Sequence, residues 1–77
     1  MTVREKIMRR LEFNRKILNI LHEMLGNNEF LRFGQALHIL GIDDKDWFNI
    51  ESADMYEIIE KKYKEYVNKA KEAEKLD

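Results

Sequence analysis

Apolar residues return at intervals of three and four along both ends of this chain. Ile7, Leu11, Leu18, Leu21 and Leu25 climb the first series, with Asn14 among them, and Tyr56, Ile59, Tyr63, Tyr66, Ala70 and Ala73 climb the second. Only an α-helix brings such a spacing to one face. The pattern predicts helices over about 3–25 and 52–75, each roughly 35 Å long at about 1.5 Å per residue. At 100° steps, the five apolar rungs of the first series share a stripe about 80° wide. A second group, Phe13, Ile17, Ile20 and Met24, lies beside it on the C-terminal half. That half is therefore apolar over much of its circumference, and it needs either two neighbours or another chain.

Boundary signals agree with this division. Thr2-Val3-Arg4-Glu5 has the form of a capping box. Gly26-Asn27-Asn28 ends the first helix, and Asn28 then caps a short second one over about 29–40, with Phe30, Phe33, Leu37 and Leu40 on one side. Gly41 is expected in the left-handed conformation that closes a Schellman motif, with Ile42 folding back on Leu37. Gly34, inside the same helix, is expected to admit a close neighbour, since it otherwise costs about 1 kcal/mol against Ala. An acidic, aromatic loop follows, and Ser52 caps the last helix. From Asn68 onward only Ala70, Ala73 and Leu76 are apolar, so the last turn or two is expected to project and fray. The predicted fold is all-α: two long antiparallel helices bridged by a short middle helix and the loop, in one domain spanning 1–77.

Charge changes the picture mildly. The net charge of −1 hides a basic residue set at 1–25 (six basic, three acidic), an acidic middle at 26–52 (two and five) and a balanced end at 53–77 (six and seven). Thirty-eight per cent of residues are charged, which suits thin helices with much exposed surface. There is no Cys, which excludes disulfides and thiolate metal sites, and no Pro to break a helix. No apolar run is long enough for a membrane span, and no charged start leads into the apolar block of a signal peptide. A cytoplasmic location is expected.

Candidate chemistry is sparse. His22 and His38 are the only histidines and Ser52 the only serine, with no nucleophile–base pair and no phosphate-binding glycine loop. The sequence therefore predicts a non-enzymatic protein without cofactor or metal. Asp43-Asp44-Lys45-Asp46 lacks the central Gly and the twelfth-position Glu of a calcium loop. Asn14 either sets register and partner number at a helix seam or faces water. Trp47 and Phe48 either form a contact hot spot or fold back over the open end of the core. Phe13, Ile17, Ile20, Met24 and Trp47 are the expected contact surface for a protein partner or a second copy, a homodimer being the first expectation. Arg9, Arg10 and Lys16 are the candidate contacts to phosphate or to an acidic partner, which keeps a nucleic-acid-binding regulator as the rival reading. A structural oligomer component is a third.

Arg32-Phe33-Gly34-Gln35, followed by Leu37, Leu40-Gly41 and then Asp46, Phe48, Glu51 and Ser52, resembles a group of small bacteriophage and prophage proteins. Those proteins carry an R-F-G-Q-x-L-x-x-L-G element before an acidic, aromatic stretch, and the likeness covers about residues 29–60. It implies a compact accessory protein working inside a bacterium and carries no activity over; beside it, the leading expectation is a non-enzymatic factor that binds and inhibits or redirects a host or defence protein. Read physically, Arg32 and Gln35 are expected to fix the short helix by polar contacts, and Phe33 and Phe48 to share a core. No functional residue comes with the resemblance.

Overall fold

The computed structural model describes residues 1–75. Three helices account for most of them: α1 (Val3–Asn27), α2 (Phe33–Ile39) and α3 (Ser52–Lys75). Leu76 and the side chain of Ala73, both in the predicted final ladder, lie outside the described residues. Thr2 caps α1 as its sequence predicts, its Oγ1 accepting from the Glu5 amide at 3.1 Å.

The α1–α2 boundary differs from expectation. Asn28 does not start the second helix; it closes the first. Its side-chain amide donates to the Met24 carbonyl at 2.8 Å, satisfying a last-turn acceptor that would otherwise face solvent. A turn follows, in which the Leu31 amide donates to the Asn28 carbonyl at 2.9 Å. Helix α2 then begins only at Phe33, where the Gln35 side chain accepts from the Arg32 amide at 2.8 Å. Losing those residues from the helix leaves Phe30 exposed, and Phe33 points outward as well.

The end of α2 follows the sequence closely. Gly41 has φ of 71°, the Ile42 amide donates to the Leu37 carbonyl at 2.9 Å, and the Gly41 amide donates to the His38 carbonyl at 3.0 Å. These are the two bonds of a Schellman motif. Gly34 is a correction: a Cβ there would meet nothing within 4 Å, so no neighbour approaches it.

The larger correction concerns direction. Cross-helix partners ascend together along α1 and α3: Arg10 with Glu51, Asn14 with Ser52, Phe13 with Tyr56, Glu23 with Tyr63, and Asn28 with Tyr66. The long helices are therefore parallel. Residues 28–51 carry the chain back along roughly 20 Å of α1, the rise of about thirteen residues, before α3 begins beside Asn14. A tight hairpin would have given the antiparallel pair; the intervening helix and loop are long enough to return instead.

The pair is also staggered, and the body measures 52 × 21 × 18 Å. The first three turns of α1 extend past the start of α3. At the other end α3 continues beyond Tyr66, which is level with the end of α1. The core lies only where the helices overlap and α2 lies against both. It consists of Ile17, Ile20, Leu21, Met24, Ala36, Leu40 and Ile59, with Leu25, Leu37, Ile42, Met55 and the three tyrosines packed around it. Met24, Leu40 and Ile59 are fully buried, each contributing about 1.5–3 kcal/mol of transfer free energy.

Candidate protein-interaction surface

The stagger divides α1 into two stretches with different surroundings. In the overlap, the stripe bearing Phe13, Ile17, Ile20 and Met24 faces α3 and α2. Ile17 and Ile20 are 8% exposed and Met24 is 0% exposed. These three side chains are core, which corrects the expectation that they form a contact surface. Packing explains it: α2 and α3 together cover the wide apolar arc of the C-terminal half. Phe13 is half-buried at the edge of this region, its ring 5.5 Å from that of Tyr56 and tilted by 51°.

The leucine ladder expected to be the seam is instead open along its N-terminal half. Val3, Ile7, Leu11 and Leu18 are 75, 49, 54 and 64% exposed, and Met8 beside them is exposed too. Only the last rungs of the ladder, Leu21 and Leu25, join the core. One signal in the sequence distinguishes the two stripes. The ladder is broken by Asn14, whereas Phe13, Ile17, Ile20 and Met24 run unbroken.

Asn14 neither faces water alone nor waits for a partner. Its Oδ1 accepts from the Ser52 hydroxyl at the first residue of α3. One turn earlier, Arg10 grips the Glu51 carboxylate: Nη2 lies 2.9 and 3.1 Å from its two oxygens and Nε donates at 3.2 Å. The hydrogen bonds from Arg10 hold the Glu51 carboxyl below its ordinary range, and the same bonds raise the Arg10 guanidinium. Arg10 and Asn14 stand at i and i+4, so they present one polar edge to consecutive residues of the incoming chain. This latch sets where α3 starts and hence how much of α1 is left uncovered.

Of the three predicted phosphate contacts, Arg9 and Arg10 line one notch and Lys16 does not. Arg10 is committed to Glu51. Arg9 and Lys16 lie on the far side of the helix over the Phe13 ring, 5.5 and 4.8 Å from its centroid, and Lys16 also reaches Glu12 at 3.5 Å. Trp47 is half-buried rather than presented: its indole Nε1 donates to the Ile42 carbonyl at 2.8 Å, and Lys45 lies over the ring. Phe48, by contrast, is 90% exposed, so it shares no core with Phe33.

The acidic loop is used locally. Asp46 accepts from the Phe48 amide at 3.0 Å, and Asp43 pairs with His38 Nδ1 at 2.9 Å, which raises the imidazole above its ordinary value. Among the described residues no three His, Asp or Glu side chains gather as a metal site.

No protein-family model, curated protein or solved structure matches the chain. The surface must be interpreted from its own chemistry.

Two grooves border it. One, of about 310 Å³, is the notch under the overhang of α1, lined by Lys6, Arg9, Arg10, Phe13 and the start of α3 at Glu51–Asp54. The other, of about 590 Å³, is an open trough along α3 past Tyr56, Tyr63 and Val67. The Tyr63 hydroxyl is raised by burial first and by Glu23 second, and that of Tyr56 chiefly by its hydrogen bond to Glu60. None of the described helices is long and apolar enough to cross a membrane.

Proposed function

We propose that this chain is a non-enzymatic protein-interaction factor: a small accessory protein of phage type, acting in the bacterial cytoplasm, that docks on a host or defence protein and inhibits or redirects it. The observation that supports the docking role is the exposed row Val3, Ile7, Leu11 and Leu18 on the uncovered part of α1. Single exposed apolar residues are ordinary, but a row at helical spacing marks a contact face. Origin and cellular role rest on the resemblance of the Arg32–Gly41 element.

Two substitutions at open positions provide the test. Affinity capture with the wild-type chain should recover a protein that survives a high-salt wash and is lost with Leu11→Asp/Leu18→Asp. Identical capture by both chains would remove the basis of this reading. A nucleic-acid-binding regulator is favoured by one observation only, the adjacent positions of Arg9 and Lys16 around Phe13. That alternative requires duplex DNA binding that weakens steeply with salt and disappears in Arg9→Ala/Lys16→Ala.

A further inference from the structure

We infer that the uncovered row on α1 is the seat of one acidic amphipathic helix from a different protein, its carboxylates meeting Arg4 and Arg15. The inference rests on the protein-binding reading above and names the class of partner.

Geometry comes first. Ile7, Leu11, Asn14 and Leu18 follow the 4-3-4 spacing of alternating d and a positions in a heptad. On a helical wheel Val3, Ile7, Leu11 and Leu18 fall within about 80°. That is the narrow seam of a helix pair, not the wider face of a helix lying against a broad surface. The one polar rung, Asn14, already has its partner in Ser52. Ser52 meets only the Oδ1 of this rung, so a visiting helix that covers it must bring an acceptor for the Asn14 side-chain NH2. From Val3 to Leu18 the row spans roughly 22 Å, four turns of an occupant.

Charge selects the class. Arg4 and Arg15 lie about 20–40° beyond Leu11, bordering the row on its outer side, and Arg10 lies about 20° beyond Val3 on the side of α3. Arg4 and Arg15 have no ion-pair partner among the described residues, whereas Arg10 is held by Glu51. The acids of this stretch, Glu5 and Glu12, lie beyond Met8 on the outer side, where they line a shallow groove with Leu11 and Arg15. Residues 1–18 hold six basic and two acidic side chains. A second copy meeting this patch across a two-fold axis would set arginines against arginines, which disfavours self-pairing. An anionic membrane would also encounter Glu51 and Asp54, which line the notch at the Arg10 edge. A helix whose carboxylates lie along the Arg4–Arg15 edge of its apolar seam avoids the first conflict and keeps its charge away from Glu51 and Asp54.

The test uses the full chain and two designed helical peptides of about four turns, both with leucine at a and d positions. One carries Glu along the edge of that seam that meets Arg4 and Arg15, the other Lys. Binding is followed by titration calorimetry, with sedimentation velocity of the protein alone and flotation with phosphatidylglycerol vesicles in parallel. The Glu peptide should bind the wild-type chain and lose about ten-fold or more in affinity with Leu11→Asp. Arg4→Glu/Arg15→Glu should weaken it several-fold and acquire affinity for the Lys peptide. These positions are exposed, so the melting temperature of each variant should be unchanged. Equal binding of both peptides would sink the acidic partner while leaving protein binding intact. So would a wild-type dimer that Leu11→Asp converts to monomer, since the occupant would then be a second copy. Vesicle flotation abolished by Leu11→Asp, or no peptide binding together with a monomeric wild-type chain, would overturn both this inference and the reading beneath it.

Discussion

The two halves of α1 carry similar apolar content and meet opposite fates. Between Phe13 and Leu25, α2 and α3 cover one face of the helix and bury Ile17, Ile20, Leu21 and Met24, while Leu18 on the other face stays 64% exposed; between Val3 and Leu11 every residue is exposed. Helical propensity and periodicity do not separate these stretches. What separates them is the point at which α3 begins, set by Arg10 and Asn14 holding Glu51 and Ser52. The lesson is that amphipathic periodicity identifies a face that can be buried, and the placement of neighbours decides whether it is.

Truncation of the core tests this contrast with the largest effect. Met24→Ala or Ile59→Ala, each at a fully buried site, should destabilise by about 2–5 kcal/mol in urea unfolding. Leu11→Ala and Leu18→Ala should stay within about 0.5 kcal/mol of wild type. A comparable loss at Leu11 would break the comparison outright, because the open row would then have to be packed.

Two glycines of the middle segment, which covers the C-terminal half, should respond with opposite sign. Gly41→Val should cost more than about 1 kcal/mol, since a β-branched residue is strained at a φ of 71°. Gly34→Ala should be neutral or stabilise by up to about 1 kcal/mol, because a Cβ meets no neighbour there and helix propensity improves. Equal destabilisation at both would mean that α2 is held differently from the arrangement described.

The latch predicts a smaller and more local change. Arg10→Ala/Asn14→Ala should speed hydrogen exchange of the amides in the first free turns of α3 while leaving those around Ile59 protected. Uniform acceleration through α3 would show that the two halves unfold as one unit.

Dependence on pH should be smallest and should come from both sides. Glu51 is lowered from 4.5 by Arg10, so its contribution is complete above that value and lost as pH falls through its folded value. His38 is raised from 6.5 by its bond to Asp43, so its contribution is complete below that value and lost as pH rises through its folded value. Melting curves should show the acid-side loss shrink in Arg10→Ala, with the part due to Glu60 beside Lys64 remaining, and the neutral-side loss vanish in Asp43→Asn. Both pairs are exposed to solvent, which screens them and keeps these effects modest.

Much of the local structure was legible. The cap at Thr2 and the Schellman closure at Gly41 are governed by backbone chemistry within a few residues, which a linear reading can see, whereas Ser52, expected to cap α3, is its first residue and gives its hydroxyl to Asn14. Asn28 was assigned to the wrong helix end because its side chain serves either as a donor or as an acceptor, and the choice is made by Met24 and by Tyr66 across the gap. The contact surface was misplaced for a similar reason. The Ile17 and Leu18 stripes are neighbours on the same helix, and both are apolar enough to be internal.

From its residue order alone, this protein is committed to three helices, to their approximate ends and to more apolar helix surface than one stripe requires. Those properties follow from periodicity and capping, which act over one or two turns. Tertiary structure decided that the long helices run parallel, that they are offset, and that the open row is Val3, Ile7, Leu11 and Leu18 instead of Ile17, Ile20 and Met24. Each of those outcomes depends on contacts between residues about forty positions apart, such as Arg10 with Glu51 and Asn28 with Tyr66. No local pattern encodes the distance that a returning chain will travel before it finds them.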